Sequence, residues 1–209
     1  MYTHTTNAGP LIVQEADNEM ITPLAQRLTT IFLNTDEDVR TAGTHWYHYE
    51  GAALAQSVAD TCGISFEMAA AVIAVCSPRT SWEAQKTHTS AMVQHFQRGG
   101  SAESSPHASV FINRREAARR LLEGDWSVLR GPKVTAFYHN ICGSTHLVTI
   151  DIWAVRAALG SHIGEREAAF WITGHSRRVL EAAYHLAAHW VGTNVVALQA
   201  VVWLATKVS

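Results

Sequence analysis

Residues 129–156 read LRGPKVTAFYHNICGSTHLVTIDIWAVR, and the parsing of this stretch decides the fold. Leu129-Arg130-Gly131-Pro132-Lys133 is a Gly-containing turn that opens a helix through Ala136 and Phe137, with Pro132 suited to the first helical turn. Free backbone N–H groups at such a helix start bind phosphate, and Gly131 lets the backbone approach closely. Taken by itself, the turn is better read as a plain connection between two helices. Eighteen positions after Lys133 stands Asp151, and five after that Arg156. In isolation Asp151 reads as the N-cap of the helix IWAVRAALG, and Lys133 as an exposed lysine at a helix start.

Outward from this stretch the chain reads with helical period almost throughout and with very little strand alternation, so an all-α fold is expected. Asn18 to Leu33 carries Met20, Ile21, Leu24, Leu28, Ile31 and Phe32 at amphipathic spacing, and a second helix is expected from Trp46 to Cys62, stopped at Gly63. FEMAAAVIAVCSPRT, residues 66–80, is almost wholly apolar and is stopped by Pro78. It reads as a buried central helix delivering Ser77 to Thr80 at its C-terminal end. Ser81 opens the next helix with half a capping box, because Ala84 stands where Glu would complete it. SAESSPHAS, residues 101–109, is the most linker-like segment, expected to join lobes at 18–100 and 110–209 of one compact domain spanning 1–209. Asn113 is placed to cap RREAARRLLEG. The last helices, SRRVLEAAYHLAAHWVG and NVVALQAVVWLATKV, are expected to close the core with Trp190 and Trp203.

With 209 residues, 47% of them hydrophobic, the chain is able to bury a proper core. A net charge of -2 and a pI near 6.6 exclude a generally basic nucleic-acid binder, so any contact with DNA has to come from a local basic face. Cys62, Cys76 and Cys142 are odd in number, far apart and without CxxC spacing; neither a disulfide framework nor a thiolate metal site is indicated, and a reducing cytosol suits them. His185 and His189 stand at i, i+4 with no third ligand in view, so a structural or solvent-facing pair is expected, and no metal or other cofactor. There is no run of about 18 apolar residues, and MYTHTTNAGP lacks the pattern of a signal peptide, so no membrane association is expected. Arg114, Arg115, Arg119 and Arg120 read as a solvated helix face, whereas Arg177 and Arg178 begin a late helix where they are able to touch phosphate. Trp46, Tyr47, His48 and Tyr49 form an aromatic patch that suits stacking on a base as well as core packing.

The two spacings around Asp151, together with VIAVCSPRTSWEAQ, resemble the helix-hairpin-helix (HhH-GPD) DNA glycosylase superfamily, in its endonuclease III-like branch. That branch has a hairpin turn with Gly, a Lys in its bifunctional members, then an Asp and a basic residue at the spacings found here. The resemblance covers about residues 52–204. It implies a two-lobed helical fold, double-stranded DNA as partner, and Asp151 and Lys133 as catalytic residues. It further implies that Ser77, Arg79, Arg130, Gly131 and Arg156 face DNA, with Arg177 joining them from its own basic run, and a place in the cytoplasm of a bacterium or phage-infected host. Arg79 beside Pro78 serves equally well as a charge at the central helix's C-terminus. The chain departs from the family in having one hairpin glycine where two are usual, no iron–sulfur cysteines, and Trp153 where many members have His. The patterns SPR-x-SW, GPK-x-x-x-F and VTIDIWA also resemble uncharacterised bacteriophage proteins. They are similar too to the pyrophosphorylase-like branch thought to hypermodify thymine in phage DNA by displacing pyrophosphate from an activated hydroxymethyl group.

The chemistry requires these residue types. Cleavage of an N-glycosidic bond develops positive charge on the sugar, which a carboxylate such as Asp151 stabilises. A lysine amine such as Lys133 attacks the sugar carbon if burial or a neighbouring cation lowers its pKa, with Arg130 and Arg156 as nearby tuning charges. The sequence therefore supports a DNA glycosylase, with or without lyase activity, a base-hypermodifying transferase in which Lys133 holds phosphate, or a non-catalytic DNA-binding module that keeps only the hairpin.

Overall fold

The computed structural model describes residues 15–160 and 163–208; the expectation for the first ten residues lies outside the described residues. The chain is all-helical. Among the described residues there are eleven α-helices: α1 (Glu15–Asn34), α2 (Glu37–Thr44), α3 (Ala53–Cys62), α4 (Phe66–Cys76), α5 (Trp82–Gln97), α6 (Ile112–Leu122), α7 (Pro132–Ile141), α8 (Ile152–Leu159), α9 (Glu165–Trp171), α10 (Gly174–Trp190) and α11 (Val195–Val208). A π-helical turn, Tyr47–Ala52, leads into α3, and a 3₁₀ turn, Trp126–Val128, precedes α7. Among the described residues no single helix is long and apolar enough to cross a membrane.

Two apolar cores organise these helices. In the first, α4 is the hub: every residue from Ala69 to Cys76 is buried, and the alanines let α3, α6 and α7 come close on all sides. Its start is set by Ser65, whose Oγ accepts from the Met68 N–H at 3.1 Å. Ser81 caps α5 likewise, accepting from Ala84 N–H at 3.2 Å, so the half-made capping box is sufficient. The second core is built by α1, α8, α9, α10 and α11 around Leu28, Val155, Leu180 and Leu198. Against it α2 lies on α11 through Gly43, where a Cβ would meet the Val201 Cα at 2.5 Å.

Residues 101–109 are not the seam between lobes. Val110, Ala118 and Leu121 enter the same core as α4, and the segment itself buries Ala102, Ser105 and His107. The first core runs from Ala55 to Ile141, while the second joins Ile21–Phe32 to Val148–Val202, so the chain leaves one core and returns to it. Three local expectations also change. The helix expected from Trp46 to Cys62 is continuous but opens with the π turn. α6 begins at Ile112 without a side-chain cap, which puts Asn113 inside its first turn. Trp190 is 44% exposed rather than in the core.

His107 gives the fold a pH dependence. It is fully buried, its Nδ1 pairs with Ser109 Oγ at 3.1 Å, and Nε2 has no partner among the described residues. Burial, reinforced by His88 and Arg115, pushes its pKa down to about 4. The unfolded chain binds a proton that the folded chain refuses, so stability is complete above the ordinary histidine range and declines as pH falls through it towards 4, by about 2–3 kcal/mol. Urea unfolding at successively lower pH is expected to show this decline, and His107→Gln to flatten it.

Candidate functional site

The turn at Gly131 begins the site. Gly131 precedes α7 with φ +93°, a conformation that penalises any L side chain, and a Cβ there would meet nothing within 4 Å, so the backbone alone dictates glycine. Pro132 then occupies the first helical position and Lys133 the second. Lys133 is half-buried; burial lowers its pKa, the Asp151 carboxylate pulls it back up, and Arg114 on α6 pushes it down again. The tuning cation is thus Arg114, supplied by another helix.

Asp151 is the N-cap of α8. Its Oδ1 accepts from the N–H groups of Trp153 and Ala154, each at 3.0 Å, and Oδ2 takes no part in the cap. Among the described residues no direct ion pair joins Lys133 to Asp151, although each faces the same cleft, which leaves space between amine and carboxylate.

That cleft, about 960 Å³, lies between the two cores and draws its walls from both. One wall is aromatic: Trp46 packs against Trp82 (centroids 4.8 Å), Trp203 (5.6 Å) and Phe137 (6.2 Å). Trp82 is held in place by its Nε1–H donating to Glu50 Oε2 at 2.8 Å. The floor is polar and buried. Tyr47, delivered by the π turn, bonds Thr149 Oγ1 at 3.0 Å and donates towards Gln199 Oε1 at 3.1 Å, and Asn140 Nδ2 donates to Thr149 Oγ1 at 3.1 Å. Burial pushes the Tyr47 phenol up to about 12, so it stays a neutral donor. Tyr47→Phe takes the hydroxyl from Gln199 Oε1 and leaves Thr149 Oγ1 with Asn140 alone, and is expected to cost about 1–2 kcal/mol, read by chemical denaturation.

Ser77, Arg79, Arg130, Gly131, Lys133, Asp151, Trp46, Tyr47 and Arg177 all line this cleft. Their availability differs. Arg177, expected at phosphate, is 8% exposed, its guanidinium pairing with Glu181 at 2.6 Å. Arg156, also expected at DNA, is absent from the lining: it donates to the Ile163 carbonyl at 3.2 and 3.0 Å and lies 5.0 Å over the Trp153 ring. Arg79 pairs with Glu165 of α9. Trp203, expected in the core, instead stands at the cleft wall with Lys207 4.7 Å over its ring. Trp82, Gln85, Thr149 and Gln199 join the cleft without having been singled out from sequence, and Arg114, read there as part of a solvated helix face, joins it too. Helical spacing carries no information about which cavity Trp82, Gln85 and Gln199 meet, and Thr149 lies outside the helices.

No group of three or more His, Cys, Asp and Glu able to hold a metal ion occurs among the described residues. Cys62 and Cys76 are buried free thiols, and burial pushes Cys76 up to about 12, far from a reactive thiolate. A family model described as a family of unknown function matches residues 11–209. No curated protein and no solved structure matches the chain.

Proposed function

We propose that this chain, which belongs to that family of unknown function (DUF7178), draws a base out of duplex DNA into its cleft and acts on it with Asp151 and Lys133. The observation that carries the reading is the meeting of a carboxylate with a free Oδ2 and a pKa-lowered lysine in one cleft that also has an aromatic wall. The all-helical chain and its two cores are compatible with a two-lobed helix-hairpin-helix glycosylase-like fold.

The residues divide the work by chemistry. Trp46 and Trp82 offer flat faces for an extruded base, and the buried amide and hydroxyl groups of the floor are suited to its polar edge. Asp151 stabilises positive charge developing on the sugar, and its helix cap fixes its orientation. Lys133, with its amine biased towards the neutral form, is the candidate nucleophile.

One observation favours a second reading. A volume of about 960 Å³ is at the upper end for small-ligand sites, and Arg114, Arg130 and Lys133 are all in its lining, with Arg114 close enough to act on Lys133. This leaves room for a base together with a phosphorylated group, as a base-modifying transferase requires. Mass spectrometry of nucleosides from duplex DNA treated with the protein separates the readings. Abasic sites with strand nicking support the glycosylase; intact strands with a heavier base support the transferase. Unchanged DNA with retained binding would leave only a DNA-binding module.

A further inference from the structure

Arg79 combines three features. It is the only non-glycine residue with positive φ among the described residues, at +59°. It stands in the turn between α4 and α5 at the cleft mouth, where the Ser77 Oγ is buried without a partner among the described residues. Its guanidinium reaches from the first core to α9 of the second and pairs with Glu165, although both side chains are more than 60% exposed (63% and 69%). A left-handed non-glycine residue is strained and an exposed ion pair contributes little, so the contact between the two cores at this turn is one that another anion can replace.

We propose that the Glu165 carboxylate is an internal occupant of an anion subsite headed by Arg79, which a phosphate takes over when ligand enters, opening the cleft mouth. The chemistry is that of substitution. A carboxylate and a phosphate oxygen accept the same guanidinium donors, and the phosphate brings more charge and an additional acceptor oxygen. Phe111 lies under the guanidinium at 6.0 Å and supports it without competing for its N–H groups. Because Arg79 and Glu165 are attached to different cores, exchanging the partner unties the two walls of the cleft. In the DNA reading above, on which the choice of macromolecular ligand rests, the phosphate belongs to the strand carrying the extruded base. Free phosphate offers the same chemistry.

The test uses the full chain and two readouts, duplex DNA affinity and amide hydrogen exchange across residues 77–81. Glu165→Gln is expected to speed exchange and to tighten duplex binding about two- to five-fold, the range an exposed pair supplies. It should also steepen the salt dependence by about one counterion. Arg79→Ala is expected to speed exchange equally but to weaken binding. These opposite signs distinguish competition from a merely structural pair, whose two variants would move affinity together. Glu165→Gln binding duplex no better than wild type overturns the proposal. If no form binds duplex, inorganic phosphate decides: a phosphate-dependent change in exchange at 77–81 that is stronger in Glu165→Gln upholds the subsite and removes the DNA reading, and its absence removes the subsite.

Discussion

Asp151→Asn is expected to keep the fold and lose about 10²–10⁴-fold in turnover. The two parts separate because the proposed function gives the residue, besides its cap, a second job with a different physical requirement. As the cap of α8 it needs only an acceptor oxygen for the N–H groups of Trp153 and Ala154, and an asparagine carbonyl serves as well as a carboxylate. As the group that faces developing positive charge it needs its own negative charge, which the amide lacks. Thermal unfolding of the variant should stay within about 0.5 kcal/mol of wild type, while Asp151→Ala should lose about 1 kcal/mol of stability in addition to activity. Turnover of Asp151→Asn within a few-fold of wild type would exclude the carboxylate from the chemistry and leave it as a cap.

The second large effect concerns Lys133. If its amine attacks the sugar, borohydride should trap a covalent protein–DNA adduct, and Lys133→Gln should abolish trapping entirely. Lys133→Arg decides between the two enzymatic readings, since it keeps charge and removes nucleophilicity. An active Arg variant without adduct makes Lys133 a phosphate holder; loss of both makes it the nucleophile. The pH profile provides an independent check. Only the neutral amine attacks, so the rate rises with pH through a pKa that burial and Arg114 have lowered. Removing the Arg114 charge raises that pKa, so in Arg114→Gln the rise should move to higher pH. A profile that stays in place would separate Arg114 from the amine.

The parts of this protein written locally are those a reader of the sequence finds. Each helix start at Ser81 and Asp151 is set by a side-chain oxygen bonding a backbone N–H two or three residues on, and Gly63 ends α3 in the left-handed conformation that its composition suggests. The apolar run of α4 could only be buried, and it is the hub of a core. Lys133 and Asp151 stood out through their spacing, and the resemblance it carries, before any contact was known.

What lies beyond four residues was decided by packing. A Ser- and Pro-containing segment looks like a joint because its backbone is turn-rich, yet it buries Ala102, Ser105 and His107, and Val110 and Ala118 just after it share the core of α4. The partners that build the cleft are far apart in the chain: Trp82 and Glu50 by 32 residues, Arg79 and Glu165 by 86, Tyr47 and Gln199 by 152. Arg156 and Arg177 carry the same charge in the sequence as Arg79 and Arg130, but burial against Ile163 and Glu181 engages them elsewhere. The amino-acid order by itself therefore determined most of the helices, the caps at Ser81 and Asp151 and the pair of groups with chemical potential, since these depend on periodicity and on bonds within one turn. Only the tertiary structure decided which cations stay available, which aromatics face the cleft and where its two halves meet, since those depend on which apolar faces cover one another.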